Sequence, residues 1–140
     1  MGTVKFLRDS GLKTQGFLIV LSGPSGSGKN SVINAVFPTI PNLKYSISVT
    51  TRPPRSGEVD GVNYFFRTEE EFDQLIEDGL LLEWASFVGY RYGTPKSFVQ
   101  DQIDSGNAVI MDVDIQGAIQ IREKMPEAIF VFLLPPTWEE

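Results

Sequence analysis

Residues Gly23, Pro24, Ser25, Gly26, Ser27, Gly28 and Lys29 match the pattern G-x-x-x-x-G-K, set between an apolar run of strand length and a helix-compatible stretch. That context gives the pattern a mechanism. Glycines let successive backbone amides turn inward around a phosphate, and the helix that follows offers unpaired N–H groups and the positive end of its dipole. Lys29 adds a mobile charge between the β- and γ-phosphates of a nucleoside triphosphate. The bland alternative is a Gly/Ser turn with no ligand. The pattern departs from its usual form where a Ser or Thr should follow the lysine to hold magnesium: here Asn30 does, with Ser31 next. An Asn carbonyl can ligate a hard cation and so can a Ser hydroxyl, so the residue types leave the choice open.

Two more sets of residues have the right types for phosphate chemistry. Ala108 to Met111 is a short apolar run that delivers Asp112 to the carboxyl end of a strand, with Asp114 just beyond it. Ligands collect at that edge of a parallel sheet, so Asp112 is expected to hold Mg²⁺ through water and Asp114 to reach the substrate side. For Asp114 the alternative is a helix cap at Gln116. Arg52 and Arg55 stand on a loop stiffened by Pro53 and Pro54 in an otherwise acidic chain. Two guanidinium forks converging on one dianion is the economical reading, against two solvated surface charges.

The elements that must position these groups follow from periodicity. Phe17 to Leu21 reads as a strand, Lys29 to Phe37 as a helix closed by Pro38, and Tyr45 to Thr50 as a second strand. Thr51 to Gly61 is loop and Val62 to Phe66 is extended. Thr68 and Glu71 form a capping box for a helix that stops at Gly79. Leu80 to Tyr92, interrupted by Gly89, suggests two small strands or a strand and a bend rather than a helix. Thr94 is expected to cap a helix with Pro95 at its first position, ending near Ser105 and Gly106. A strand over Ala108 to Met111, a helix over Gln116 to Lys124 and an apolar stretch at Ile129 to Leu134 complete the pattern. Apolar strands alternating with helices mark a parallel sheet covered on both faces, and the stretch from about Tyr45 to Gly93 departs from that pattern as an inserted lobe.

Composition narrows the chemistry. With 140 residues, 41% hydrophobic, the chain supports one α/β domain. It has no Cys and no His, which removes thiolate and imidazole ligation and leaves Lys, Arg, carboxylates, hydroxyls and backbone amides. Twelve basic residues against 18 acidic ones, net −6, cannot make the broad basic surface of a nucleic-acid binder. No segment approaches the ~18 apolar residues of a membrane span. The first residues lack both the apolar core and the cleavage site of a signal peptide, and Phe6 stands where a myristoylation signal needs Ser or Thr, so a cytoplasmic protein is expected.

The blocks SGPSGSGK, YSISVTTRPPRSGEVDGVNYFF, LLEWASFVGYRYGT and MDVDIQGA resemble, in order, the motifs of the guanylate kinase family, from about Phe17 to Pro136. The second and third belong to the GMP-binding lobe rather than to phosphate-loop proteins at large. The resemblance implies the phosphate-loop nucleoside monophosphate kinase fold: α/β, a parallel sheet flanked by helices, with an inserted mixed GMP-binding lobe at about 45–93. It implies an N-terminal extension over 1–16 and a guanylate kinase-like domain over 17–140. By matching position, Gly23 to Ser31 would bind ATP with Mg²⁺, and Ser48, Arg52, Arg55, Tyr64 and Tyr92 would surround the GMP phosphate, with Lys29, Arg52 and Arg55 catalytic. Glu83 would read guanine, since one carboxylate accepts from both N1–H and the 2-amino group, which adenine does not present. Thr94 would direct a hydroxyl toward the base and Asp114 would lie near the guanine amino group. The alternatives are core aromatics for Tyr64 and Tyr92 and a solvated strand end for Glu83.

The implied partners are ATP and GMP, with no nucleic acid and no membrane. The implied reaction gives ADP and GDP. Two other readings are a guanylate-kinase-like module that binds protein, against which the intact Lys29 speaks, and a kinase for another small phosphorylated acceptor. The family's lid, adenine-contacting segment and closing helices would all follow Glu140, and Thr137 with Glu140 form a capping box where a helix would begin. The chain is therefore expected to be incomplete at its C-terminus and weakly active or inactive by itself.

Overall fold

The computed structural model describes residues 15–24 and 27–134. Strand β1 is Phe17–Ser22, and its continuous apolar run suits a strand buried on both faces. Leu18 and Val20 enter one core with Val109, Met111, Ala118 and Ile121, while Leu21 enters another with Ile33, Leu43 and Ile110. β2 (Leu43–Tyr45), β7 (Ala108–Val113) and β8 (Ile129–Phe132) join β1 in an all-parallel sheet of order β2-β7-β1-β8. Helix α1 (Lys29–Val36) covers one face through Ile33. Helices α3 (Lys96–Asp104) and α4 (Ile115–Lys124) cover the other through Val99, Ala118 and Ile121.

A second, mixed sheet has the order β4-β3-β6-β5. Its members are β3 (Val49–Thr50), β4 (Phe65–Phe66), β5 (Leu81–Phe87) and β6 (Tyr90–Pro95). Helix α2 (Glu69–Glu77) packs on it by burying Phe72 against Val49 and Leu81. The Thr68 capping box is formed on both sides: Glu71 N–H donates to Thr68 Oγ1 at 3.1 Å and Thr68 N–H to Glu71 Oε1 at 2.9 Å. In β5 the ladder shifts register between Leu81 and Glu83. Successive strand residues face opposite ways, and Leu81 enters the α2 core while Leu82 enters the core of the parallel sheet.

Three expectations are corrected. The stretch Tyr45 to Thr50 is two strands in different sheets, because after Ser46 N–H donates to Ile110 O at 3.0 Å the chain leaves the parallel sheet. Only Phe65–Phe66 of the stretch Val62 to Phe66 is strand; Val62 and Asn63 N–H both return to Val59 O as a turn. Thr94 does not cap α3. Pro95 holds that position without a side-chain bond, and Thr94 lies in β6 with its hydroxyl committed elsewhere. The expected capping box at Thr137 and Glu140 lies outside the described residues, as does nearly all of the expected extension over 1–16. Among the described residues no helix is long and apolar enough to cross a membrane.

Candidate functional site

The glycine-rich turn leads from β1 into α1. Gly28 sits before the helix at φ 91°, in the left-handed region, where a side chain would be strained. At Gly23 a Cβ would stand 2.6 Å from Leu133 O and 2.9 Å from Ser27 Oγ, so the turn also has no room for one. Lys29 Nζ donates to Gly23 O at 2.7 Å, folding the ammonium back over the mouth of the turn. Pro24 and Ser27 are joined by a bond from Ser27 N–H to Pro24 O at 3.1 Å; Ser25 and Gly26 lie outside the described residues. Asn30 and Ser31 are exposed on the first turn of α1.

In front of Lys29 a cavity of about 760 Å³ lies between the two sheets. Its lining includes Ser48, Arg52, Arg55, Tyr64 and Tyr92. Arg52 is 6% exposed, which answers the surface-charge alternative for it. Its Nη1 and Nη2 donate to Glu58 Oε1 and Oε2 at 3.0 and 3.1 Å, and Nη1 also donates to Pro53 O at 3.1 Å. The guanidinium carbon stands 5.2 Å from the centre of the Tyr64 ring. Those bonds occupy the end of the fork. They leave the Nε–H and second Nη2–H edge, the geometry that takes two oxygens of one phosphate. Glu58 also accepts from the Arg55 amide at 2.8 Å, so one carboxylate organises both arginines of the loop. The bond to Arg52 and then the Arg55 amide hold the Glu58 carboxyl below its usual range. The bond to Glu58 raises Arg52 above its ordinary value against the opposing effect of burial.

Glu83, Thr94 and Asp114 line the same cavity, Thr94 on the β6 face that also carries Tyr92. Thr94 Oγ1 donates to Glu83 Oε2 at 2.7 Å. The other oxygen, Oε1, lies 3.1 Å from where a Cβ on Gly117 would be, so the first turn of α4 closes against this carboxylate. Burial pushes the Glu83 carboxyl up; the Thr94 bond and Lys124 oppose that, and the charge of Asp114 adds to it. Asp114 both lines the cavity and caps α4, accepting from Gly117 N–H at 2.8 Å.

Asp112 lines the same cavity as Lys29, and its Oδ1 accepts from the Tyr45 hydroxyl at 3.1 Å. Burial, followed by the charge of Asp112, raises the Tyr45 hydroxyl well above its ordinary pKa, so it stays a donor. Among the described residues no three His, Cys, Asp or Glu converge as a metal cage. Magnesium that arrives with a nucleotide keeps several waters and takes one or two carboxylates with phosphate oxygens. An Asp112 oriented by Tyr45 in the cavity that Lys29 also lines fits that demand.

All eight residues expected around GMP therefore line one cavity with Lys29 and Asp112, while Asn30 and Ser31 are not among its lining residues. Sequence reasoning missed Tyr45, Ser46 and Glu58. The signal for Glu58 was available, as an acid within a short basic loop. Ser46 lines the cavity with a buried Oγ that has no partner among the described residues, and its place two residues before Ser48 was the only hint.

A family model described as guanylate kinase matches residues 15–140. The chain is similar to the guanylate kinase of Caldanaerobacter subterraneus subsp. tengcongensis, 54% identical over 129 residues, which are 92% of this chain and 63% of the relative. It is also similar to the guanylate kinase of Bacillus subtilis, 52% identical over 130 residues, 92% of this chain and 64% of the relative. Among solved structures, the crystal structure of guanylate kinase from Anaplasma phagocytophilum matches with a TM-score of 0.63 and 37% identity, over 91% of this chain and 64% of that one. The chain spans about 63% of the length of the curated relatives it matches.

Proposed function

This chain belongs to the guanylate kinase family, and on that premise we propose that the protein transfers the γ-phosphoryl group of ATP to GMP, giving ADP and GDP. The observation that carries the reading is that one cavity is lined at once by Lys29, by Arg52 and Arg55 with three hydroxyl side chains, and by Glu83 with Thr94. On this reading residues 17–140 form the kinase-like domain and about 45–93 its GMP lobe. The GMP phosphate takes the open edge of Arg52 and the Arg55 guanidinium, with Ser48, Tyr64 and Tyr92 donating hydroxyls. Glu83 accepts from guanine N1–H and the 2-amino group, with Thr94 and Asp114 beside it.

An oxygen of the GMP phosphate forms the new bond to the γ-phosphorus while the bond to the β–γ bridging oxygen breaks, its electron pair leaving with ADP. Lys29 exchanges the Gly23 carbonyl for the β- and γ-phosphate oxygens and neutralises charge there. When bound with ATP, Mg²⁺ would neutralise the same oxygens, held by Asp112 through water and by Asn30 or Ser31. A reaction on the free ATP and GMP pools belongs in the cytoplasm.

The test is a calorimetric titration of the folded chain with GMP, with AMP as control. Saturable GMP binding is expected, with AMP at least about tenfold weaker because it presents neither donor to Glu83. A folded sample that binds neither, or binds both equally, would overturn the reading.

A further inference from the structure

β5 is an edge strand, flanked by β6 on one side only. The outward amides of an edge strand ordinarily face water or a second strand. Here they meet side chains of α4. Gln120 Oε1 accepts from Trp84 N–H at 3.2 Å and Gln120 Nε2 donates to Trp84 O at 3.3 Å, so one side-chain amide stands in for a strand partner. One helical turn on, Lys124 Nζ donates to Leu81 O at 2.7 Å. The two contacts flank Glu83, which pairs with Thr94 just after the ladder with β6 shifts register.

From this we propose that Gln120 and Lys124 are positioning residues that aim the Glu83 carboxylate, and that they set the preference for a purine bearing the 2-amino group. The proposal rests on the cavity being the GMP site. The Trp84 N–H lies in the peptide plane that follows Glu83, so holding it restrains ψ at Glu83 and with it the direction in which the side chain leaves the strand. Thr94 then fixes the far end of that side chain. Reading guanine takes both carboxylate oxygens as acceptors, and a protonated Glu83 has lost one of them. The groups that bear on its charge are Thr94 on β6, Asp114 at the start of α4 and Lys124 at its end, and Lys124 is the one cation among them. Its ammonium therefore holds the strand and favours the ionised carboxylate.

The experiment measures GMP and IMP binding by calorimetry from pH 5 to 8 for the wild-type chain and for Lys124→Met, Lys124→Arg and Gln120→Leu. IMP keeps N1–H and the same phosphate but lacks the 2-amino group, so the GMP/IMP affinity ratio isolates the base contact. The Lys124→Met and Gln120→Leu variants are expected to lower that ratio by about tenfold, the loss of one well-placed bond to a charged group. Lys124→Met should also move the acid limb of the ratio to higher pH, and Lys124→Arg should restore both. Equal losses for GMP and IMP, with ratio and acid limb unchanged, would show that α4 only supports the fold and would overturn the proposal. A variant too unstable to assay leaves the other, and Lys124→Arg, to decide it. If the folded wild-type chain binds no GMP, the proposed function itself fails and this inference with it.

Discussion

Glu83 lines the cavity and Glu58 holds the cavity-lining Arg52 from behind, and their surroundings shift the two acids in opposite directions. Glu58 is held low by Arg52, so its contribution to stability is present at neutral pH and is lost as pH falls through its folded value. Glu83 is pushed up by burial, so the folded protein binds its proton more tightly than the unfolded chain does. The stability it contributes is complete below the ordinary carboxylate range and is lost as pH rises through the raised folded value. Ionised Glu83 is then a cost to the fold, which the proposed recognition of guanine would offset. Glu83→Gln keeps an acceptor for Thr94 and removes the charge. We expect it to raise the thermal midpoint near pH 7, to flatten the fall in stability above the ordinary carboxylate range, and to lose most GMP binding. Thermal scans from pH 4 to 8 and a calorimetric titration check this; an unchanged midpoint with GMP binding intact would contradict it.

At the level of elements, the β5–β6 hairpin is the one that carries a local conflict. Val88 and Gly89 take φ values of 50° and 83°, the two left-handed residues of a type I′ turn. Gly suits the second position. Val at the first does not, because a branched Cβ is crowded in that region. Nothing packs there to compensate, since Val88 is 77% exposed. Val88→Asn should therefore stabilise the protein by about 1 kcal/mol, read as a raised urea midpoint with an unchanged slope. The same hairpin shows the limit of local sequence. Thr94 before Pro95 has the form of a cap signal, as Thr68 before Glu71 does. The Thr68 bonds close within its own segment, whereas the Thr94 hydroxyl meets a carboxylate brought by the neighbouring strand.

Over the whole molecule, the two sheets share a core. Leu82 belongs to a strand of the mixed sheet but is fully buried with Leu18, Val20 and Val109 of the parallel one. Its neighbours Leu81 and Glu83 face the α2 core and the cavity, so three consecutive residues serve both cores and the site. Leu82→Ala should cost about 2–5 kcal/mol and should destabilise both sheets together. The check is urea unfolding followed by far-UV circular dichroism and by the fluorescence of Trp84, with Trp138→Phe as background. Coincident transitions are expected; a mixed sheet that melts separately would contradict the shared core.

Residue types and spacing were enough to identify the glycine-rich turn, the family, the parallel α/β frame and eight residues that come to line one cavity, because glycine turns, apolar periodicity and motif order are local properties of the chain. The break between Tyr45 and Thr50, the roles of Glu58 and Tyr45, and the hold of Gln120 and Lys124 on β5 were decided only in three dimensions. Tyr45 meets Asp112 across 67 residues, and Gln120 meets Trp84 across 36. A side chain's donors and acceptors are fixed by its type, but its partner is fixed by which backbone the fold brings within about 3 Å.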